Sequence, residues 1–167
     1  MVYFAGNNII ILKTDSLEQI IISGTEETLF INDFAISPSQ KYIALSEFSN
    51  EMGIISIYEI KLSEMKVKKK RTFCSWDCES KTFNKLCFSS INDKLLIALT
   101  QKPNLKLTLW DWDKGKLKSI IDVTGFVWIN GIFEVIQNES LIFCYGEPEE
   151  KNFSIKTFFI KNDGDEL

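Results

Sequence analysis

Apolar residues return along this chain with a period of two, in short runs cut by Gly, Asn, Asp, Ser and Pro. That alternation marks half-buried strands, because successive strand side chains point to opposite faces. It predicts strands near 2–5, 9–13, 17–23, 29–36, 42–48, 53–60, 67–74, 82–89, 94–100, 105–112, 116–123, 127–136, 140–146 and 153–160. Turn formers separate them: Gly6-Asn7-Asn8, Asp15-Ser16, Ser37-Pro38-Ser39-Gln40, Asn92-Asp93, Pro103-Asn104, Asp113-Lys114-Gly115, Asn138-Glu139 and Asn162-Asp163-Gly164. No segment sustains the three-and-four spacing of an amphipathic helix. Residues 61–70 fit either one helical turn or a loop running into a strand.

The predicted strands recur as a unit. Residues 34–45 resemble 86–97, and 56–60 resemble 108–112. Ser37 and Ser89 are 52 positions apart, and so are Tyr58 and Trp110. Two landmarks with one offset define a repeat. A weaker third copy runs through 132–135, 141–144 and 154–158, and residues 2–23 read as the end of a preceding unit. Each unit holds an apolar strand, a turn with Ser37-Pro38 or Ser89, a second apolar strand, and a strand ending in Tyr58-Glu59 or Trp110-Asp111. Tyr58 and Trp110, at equivalent positions, are both expected to be largely buried. One four-stranded sheet cannot bury both faces alone, whereas stacked sheets can. The expected fold is all-β: a partial β-propeller of about three to four antiparallel four-stranded blades. Its expected divisions are the end of one blade at 1–28, blades at 29–80 and 81–124, and a degenerate blade at 125–167.

Composition narrows the functional classes. Hydrophobic residues make up 45% and aromatics 13%, too apolar for a disordered chain. The net charge of -4 argues against a dedicated nucleic-acid binder, which carries a basic face. The longest aliphatic run, Ile9-Ile10-Ile11-Leu12, is strand length, far short of the roughly 18 residues of a membrane span. Residues 1–5 are too short for a signal-peptide core, so no membrane association is expected and the default compartment is cytoplasmic. Gly164-Asp165-Glu166-Leu167 is similar to a retrieval signal but has Gly where Lys is usual; it reads as a polar terminus. The four Cys (Cys74, Cys78, Cys87, Cys144) include one loose pair, and the chain has no His. They read as buried free thiols, and no metal or cofactor is expected.

The unit resembles the WD-repeat family. Residues 36–44 with 56–59, and 88–97 with 109–111, follow that family's Phe-Ser-Pro turn and its closing aromatic-acidic strand. The ordered series at 6–13, 41–47, 55–60, 68–71, 88–96 and 110–114 is similar to the axonemal branch of the family, over roughly residues 5–123. This resemblance implies a protein-binding scaffold of cilia, of the kind that holds inner dynein arms and regulatory complexes on the axoneme. Two departures stand out. The family's Gly-His dipeptide cannot occur, and the third copy has lost the Ser-Pro turn and the Trp-Asp pair.

Two residue groups invite a functional reading. Trp110-Asp111-Trp112-Asp113 offers an aromatic anchor to a partner, or else Trp110 faces the core between blades and Asp111 closes the next turn. Lys66, Lys68, Lys69, Lys70 and Arg71 offer a dock for acidic tubulin tails or nucleic acid, or else a solvated edge that discourages strand pairing. Loop candidates for binding are 47–53, 63–71, 101–106 and 146–151. Carboxylates such as Glu26-Glu27, Asp163 and Asp165 lie in predicted loops without a nucleophile, and with no His the commonest general base is missing. The expected function is therefore non-catalytic protein binding. The alternatives are a nucleic-acid-associated or generic cytosolic propeller, and a gene fragment without an independent role. Because about three blades do not close a ring, open sheet edges at residues 1–23 and 140–160 are expected to favour self-association or completion by further blades.

Overall fold

The computed structural model describes residues 1–49, 51–101, 103–124, 126–136, 140–148 and 154–160. The predicted turns at Asn138-Glu139 and Asn162-Asp163-Gly164, the residues Glu149, Glu150, Lys151, Asp163 and Asp165, and the Gly164–Leu167 terminus lie outside these. The fold is all-β. Its strands are β1 (Val2–Ala5), β2 (Asn8–Leu12), β3 (Gln19–Ser23), β4 (Phe30–Ile36), β5 (Tyr42–Phe48), β6 (Gly53–Lys61) and β7 (Lys66–Cys74). Then follow β8 (Phe83–Phe88), β9 (Leu95–Thr100), β10 (Lys106–Asp111), β11 (Lys116–Asp122), β12 (Phe126–Ile136), β13 (Ser140–Pro148) and β14 (Ser154–Ile160). Residues 61–70 satisfy both of their expectations in part: a 3-10 turn at Leu62–Glu64 runs straight into β7.

Every pairing among the described residues is antiparallel and joins strands adjacent in sequence. The first sheet is β1-β2-β3, the second β4-β5-β6-β7, the third β8-β9-β10-β11 and the fourth β12-β13-β14. Neighbouring sheets bury apolar faces against each other. Ile9, Ile11, Ile20 and Ile22 meet Ile43 and Leu45 between the first and second sheets. Ala44, Ile57 and Phe73 meet Leu86, Leu96 and Trp110 between the second and third. On the other face of the third sheet, Ile97, Leu99, Leu107 and Leu109 meet Ile129, Ile142 and Cys144 of the fourth. The inner sheets are therefore covered on both faces, which is why all six residues of β9 are buried and its sequence reads as a continuous apolar run. Each fully buried Ile or Leu contributes roughly 1.5–3 kcal/mol.

The first strand of each of the last three sheets carries a β-bulge around an asparagine. The register shifts between Ile31 and Asp33, between Phe83 and Lys85, and between Ile129 and Gly131. The bulge turns the Asn amide toward the next sheet. Asn32 Nδ2 donates to the Phe83 carbonyl at 2.8 Å, and Asn84 Nδ2 to the Ile129 carbonyl at 3.4 Å. Ser46 Oγ also donates to the Phe83 carbonyl, at 2.7 Å. The same apolar-Asn pair recurs at Ile129-Asn130. These rungs tie the sheets together by polar bonds where those strands converge.

The repeat alignment needs one correction. Ser37 N–H donates to the Tyr42 carbonyl, while Ser89 N–H donates to the Leu95 carbonyl, so the second turn is one residue longer. Ile43 pairs with Tyr58 and Leu96 with Trp110. The aromatic landmarks stay 52 apart, but the strand between them is displaced by one position from the sequence match.

Candidate interaction surface

The repeat landmarks are built into the frame. Ser37 and Ser89 are buried at equivalent turns, and the Ser37 hydroxyl accepts the Tyr42 N–H at 3.1 Å. Pro38 is exposed beside it. Ser89 Oγ donates to Glu134 Oε1 at 3.0 Å, and the Ser90 N–H donates to the other oxygen, so a carboxylate of the fourth sheet fastens this turn of the third. Trp110 is 2% exposed. Its Nε1 donates to Thr108 Oγ1 at 2.9 Å, which donates to the Ala98 carbonyl at 2.8 Å. Its ring packs on Phe73 with centroids 4.7 Å apart and on Phe83 at 6.4 Å. Asp111 Oδ1 accepts the Lys114 N–H at 3.1 Å and closes the β10–β11 turn. Trp112 donates from Nε1 to the Asp93 carbonyl at 2.6 Å and meets Tyr42 edge-on at 4.8 Å.

Tyr58, at the place equivalent to Trp110, is only half-buried, less than its repeat position predicts. It packs toward the three-stranded first sheet, with Lys69 Nζ 5.8 Å from the ring centroid. Burial, and then the Glu47 carboxylate, raise its pKa above the ordinary value. Glu47 itself opens one of the expected binding loops, yet it is fully buried at the end of β5 and accepts from Thr28 Oγ1 at 2.9 Å. It is not available to a partner.

The basic run does not form a loop either. It lies in β7, the outer strand of the second sheet, with Lys66, Lys68, Lys69, Lys70 and Arg71 exposed. Arg71 Nη2 donates to the Asp113 carbonyl of the next sheet at 2.7 Å, and Lys70 Nζ lies 3.6 Å from Glu59 Oε2. Arg71 thus links the second and third sheets, while Lys66 and Lys68 project outward. Of the other loop candidates, 101–106 borders a cleft of about 620 Å³ lined by Gln101, Asn104, Asp122 and Phe126.

Charge elsewhere is tied into structure. Asp33 accepts the Leu86 N–H at 2.9 Å across two sheets, and burial raises its pKa. All four cysteines are free thiols. Burial pushes the Cys78 and Cys144 thiols up to about 12 and Cys87 to about 11, and it raises Cys74 in the same direction with Asp77 adding to it. Thiols so shifted are poor nucleophiles and poor metal ligands.

Consecutive antiparallel sheets stacked face to face, each made by local hairpins, define a propeller-like all-β repeat protein. No protein-family model matches the chain. Over 121 residues it is 30% identical to cilia- and flagella-associated protein 57 of Mus musculus, covering 72% of this chain and 9% of that protein. It is 25% identical over 198 residues to cilia- and flagella-associated protein 57 A of Tetrahymena thermophila, covering 93% of this chain and 14% of that one. The chain is therefore homologous to these proteins while spanning only a small part of their length. Among solved structures, a functionally unknown protein from Desulfotomaculum acetoxidans DSM 771 matches with a TM-score of 0.72 and 18% identity, over 95% of this chain and 45% of its own. A complex of KlAtg21 with the coiled coil of AgAtg16 matches with a TM-score of 0.55 and 13% identity, over 91% of this chain and 49% of the matched one. These two likenesses are of fold alone.

Proposed function

We propose that this chain is a non-catalytic WD-repeat scaffold segment of a cilium- or flagellum-associated protein, binding axonemal proteins through its outer surface. The observation that carries this reading is the similarity to cilia- and flagella-associated protein 57 across 72% of the chain, on a frame of stacked sheets. The landmarks support a scaffold. Trp110, Asp111, Ser37, Ser89, Glu134 and Asp33 are all committed to hydrogen bonds or packing that hold one turn or sheet to another. The partners proposed are axonemal proteins, tubulin or dynein-associated chains among them, with β7 as the candidate face.

The test is affinity purification of the tagged protein from isolated cilia. Recovery of axonemal proteins above an untagged control is the expected result, and recovery of none would refute the reading. A salt titration addresses the nucleic-acid alternative raised by the basic run. Phosphate contact would weaken steeply and uniformly with salt.

A further inference from the structure

The sheets repeat a second pattern on their outer strands. Glu59 pairs with Lys68 and Asp111 pairs with Lys116. Because Tyr58 and Trp110 are equivalent, Lys68 and Lys116 are equivalent as well. The β6–β7 register shifts between Ile57 and Tyr58, leaving Lys70 as the extra residue, and the β10–β11 register shifts between Leu109 and Trp110, leaving Lys118 as the extra residue. Lys66 pairs with Lys61 just after one turn, and Lys114 stands at the corresponding end of the other. Two neighbouring outer edges therefore carry matching rows, Lys66 and Lys68 on β7, and Lys114 in the turn with Lys116 at the start of β11. Arg71 holds the rows side by side through its bond to the Asp113 carbonyl, with its guanidinium against Gly115.

This local concentration of cations sits on a chain of net charge -4. The acidic neighbours do not cancel it. Asp113 is taken up by Lys94 at 2.6 Å, and the Lys70–Glu59 and Lys114–Asp111 pairs are 3.6 and 3.5 Å long. Lys66, Lys68 and Lys116 are exposed and stand outside these three pairs. Lys66 and Lys68, on alternate positions of β7, stand ~6.7 Å apart along the strand. An extended polypeptide with a carboxylate on every second residue has the same spacing, whereas a nucleic-acid duplex carries one charge per ~1.7 Å of axis. Neither row interleaves an exposed aromatic ring on which a base would stack.

We propose that β7 and β11 together form one cationic docking surface for an extended acidic polypeptide, read by the two equivalent lysine rows. The proposal rests on the scaffold reading for its setting and on the lysine geometry for its chemistry. The probe is a fluorescein-labelled peptide alternating Glu and Ser, with a single-stranded oligonucleotide of equal charge as the second arm, both followed by fluorescence anisotropy at low and physiological salt. The full chain should bind the peptide in preference to the oligonucleotide. Lys66→Ser with Lys68→Ser, and separately Lys114→Ser with Lys116→Ser, should each weaken peptide binding roughly fivefold or more. All four together should abolish it, and the corresponding Lys→Arg changes should retain it. These side chains are exposed, and an unchanged urea midpoint checks the fold of each variant. Absence of peptide binding by the parent chain, equal loss on replacing the distant Lys13 and Lys41, or tighter binding of the oligonucleotide would each overturn the proposal. Loss of peptide binding with axonemal co-purification intact retires this surface alone. Loss of co-purification with peptide binding intact retires the ciliary reading alone.

Discussion

Trp110 sets the scale of what one residue contributes. Its ring fills the space between Phe73 and Phe83, and its indole N–H is satisfied by Thr108. Trp110→Ala should lower stability by about 3–5 kcal/mol through cavity formation, read as a shifted urea midpoint. Coincident midpoints would show that the ring is not a core element. Asp33 makes a pH-dependent prediction. Its folded pKa is raised above 3.8 by burial, so its neutral form is favoured by folding. The stability tied to that group is complete below 3.8 and is lost as pH rises through the folded pKa. Asp33→Asn keeps an acceptor for the Leu86 N–H without the buried charge. The variant should gain on the parent as pH rises toward neutrality, and the gap should close in acid. A gap that widens on acidification would contradict this. The thiols give a third check at this scale. Cys78 and Cys144 are fully buried with pKa values about 12, so both should resist a thiol reagent at mildly alkaline pH until the chain is unfolded. Immediate labelling of all four cysteines in the native protein is the contrary result.

At the scale of elements, the strands were legible because their period is strict. All of the predicted strands occur, with ends shifted by a residue or two. Thus β3 starts at Gln19 rather than residue 17, because Leu17 sits in the left-handed region at a φ of 59°. The rungs and rows between elements were not legible at a single offset. Ser37 and Ser89 keep an interval of 52, Lys68 and Lys116 stand 48 apart, and Asn84 and Asn130 stand 46 apart. The 3-10 turn Leu62–Glu64 lengthens one hairpin, while Asp113-Lys114-Gly115 closes its counterpart tightly with Gly115 in the left-handed region at a φ of 71°. Pairing register, not sequence spacing, brings the equivalent lysines and asparagines into line. The loop rule also misplaced the basic run, since strands on an outer edge expose both backbone and side chains as fully as a loop does. The asparagine rungs carry a prediction of their own. Asn84→Ala should cost roughly 1–2 kcal/mol, since it leaves the Ile129 carbonyl without this donor. Asn32→Ala should cost less, because Ser46 still donates to the Phe83 carbonyl. Equal losses in thermal unfolding would show that the second donor does not compensate.

The whole molecule is a stack whose inner faces are covered and whose two end faces are apolar. Tyr3 and Ile21 are exposed on the outward face of the first sheet. Phe133, Tyr145 and Ile155 are exposed on the outward face of the fourth, with the two rings 6.1 Å apart. Patches of this kind favour association. These 167 residues expressed alone should therefore show a mass by light scattering that rises with concentration, and a constant monomer mass would count against that expectation. The ciliary scaffold reading is tested most directly by where the protein goes. A fluorescently tagged full-length protein, imaged in living ciliated cells, should lie along the axoneme, and the quadruple Lys66, Lys68, Lys114 and Lys116→Ser variant should show a weaker axonemal signal. Exclusive nuclear localisation, with nucleic acid recovered on purification, would contradict the account.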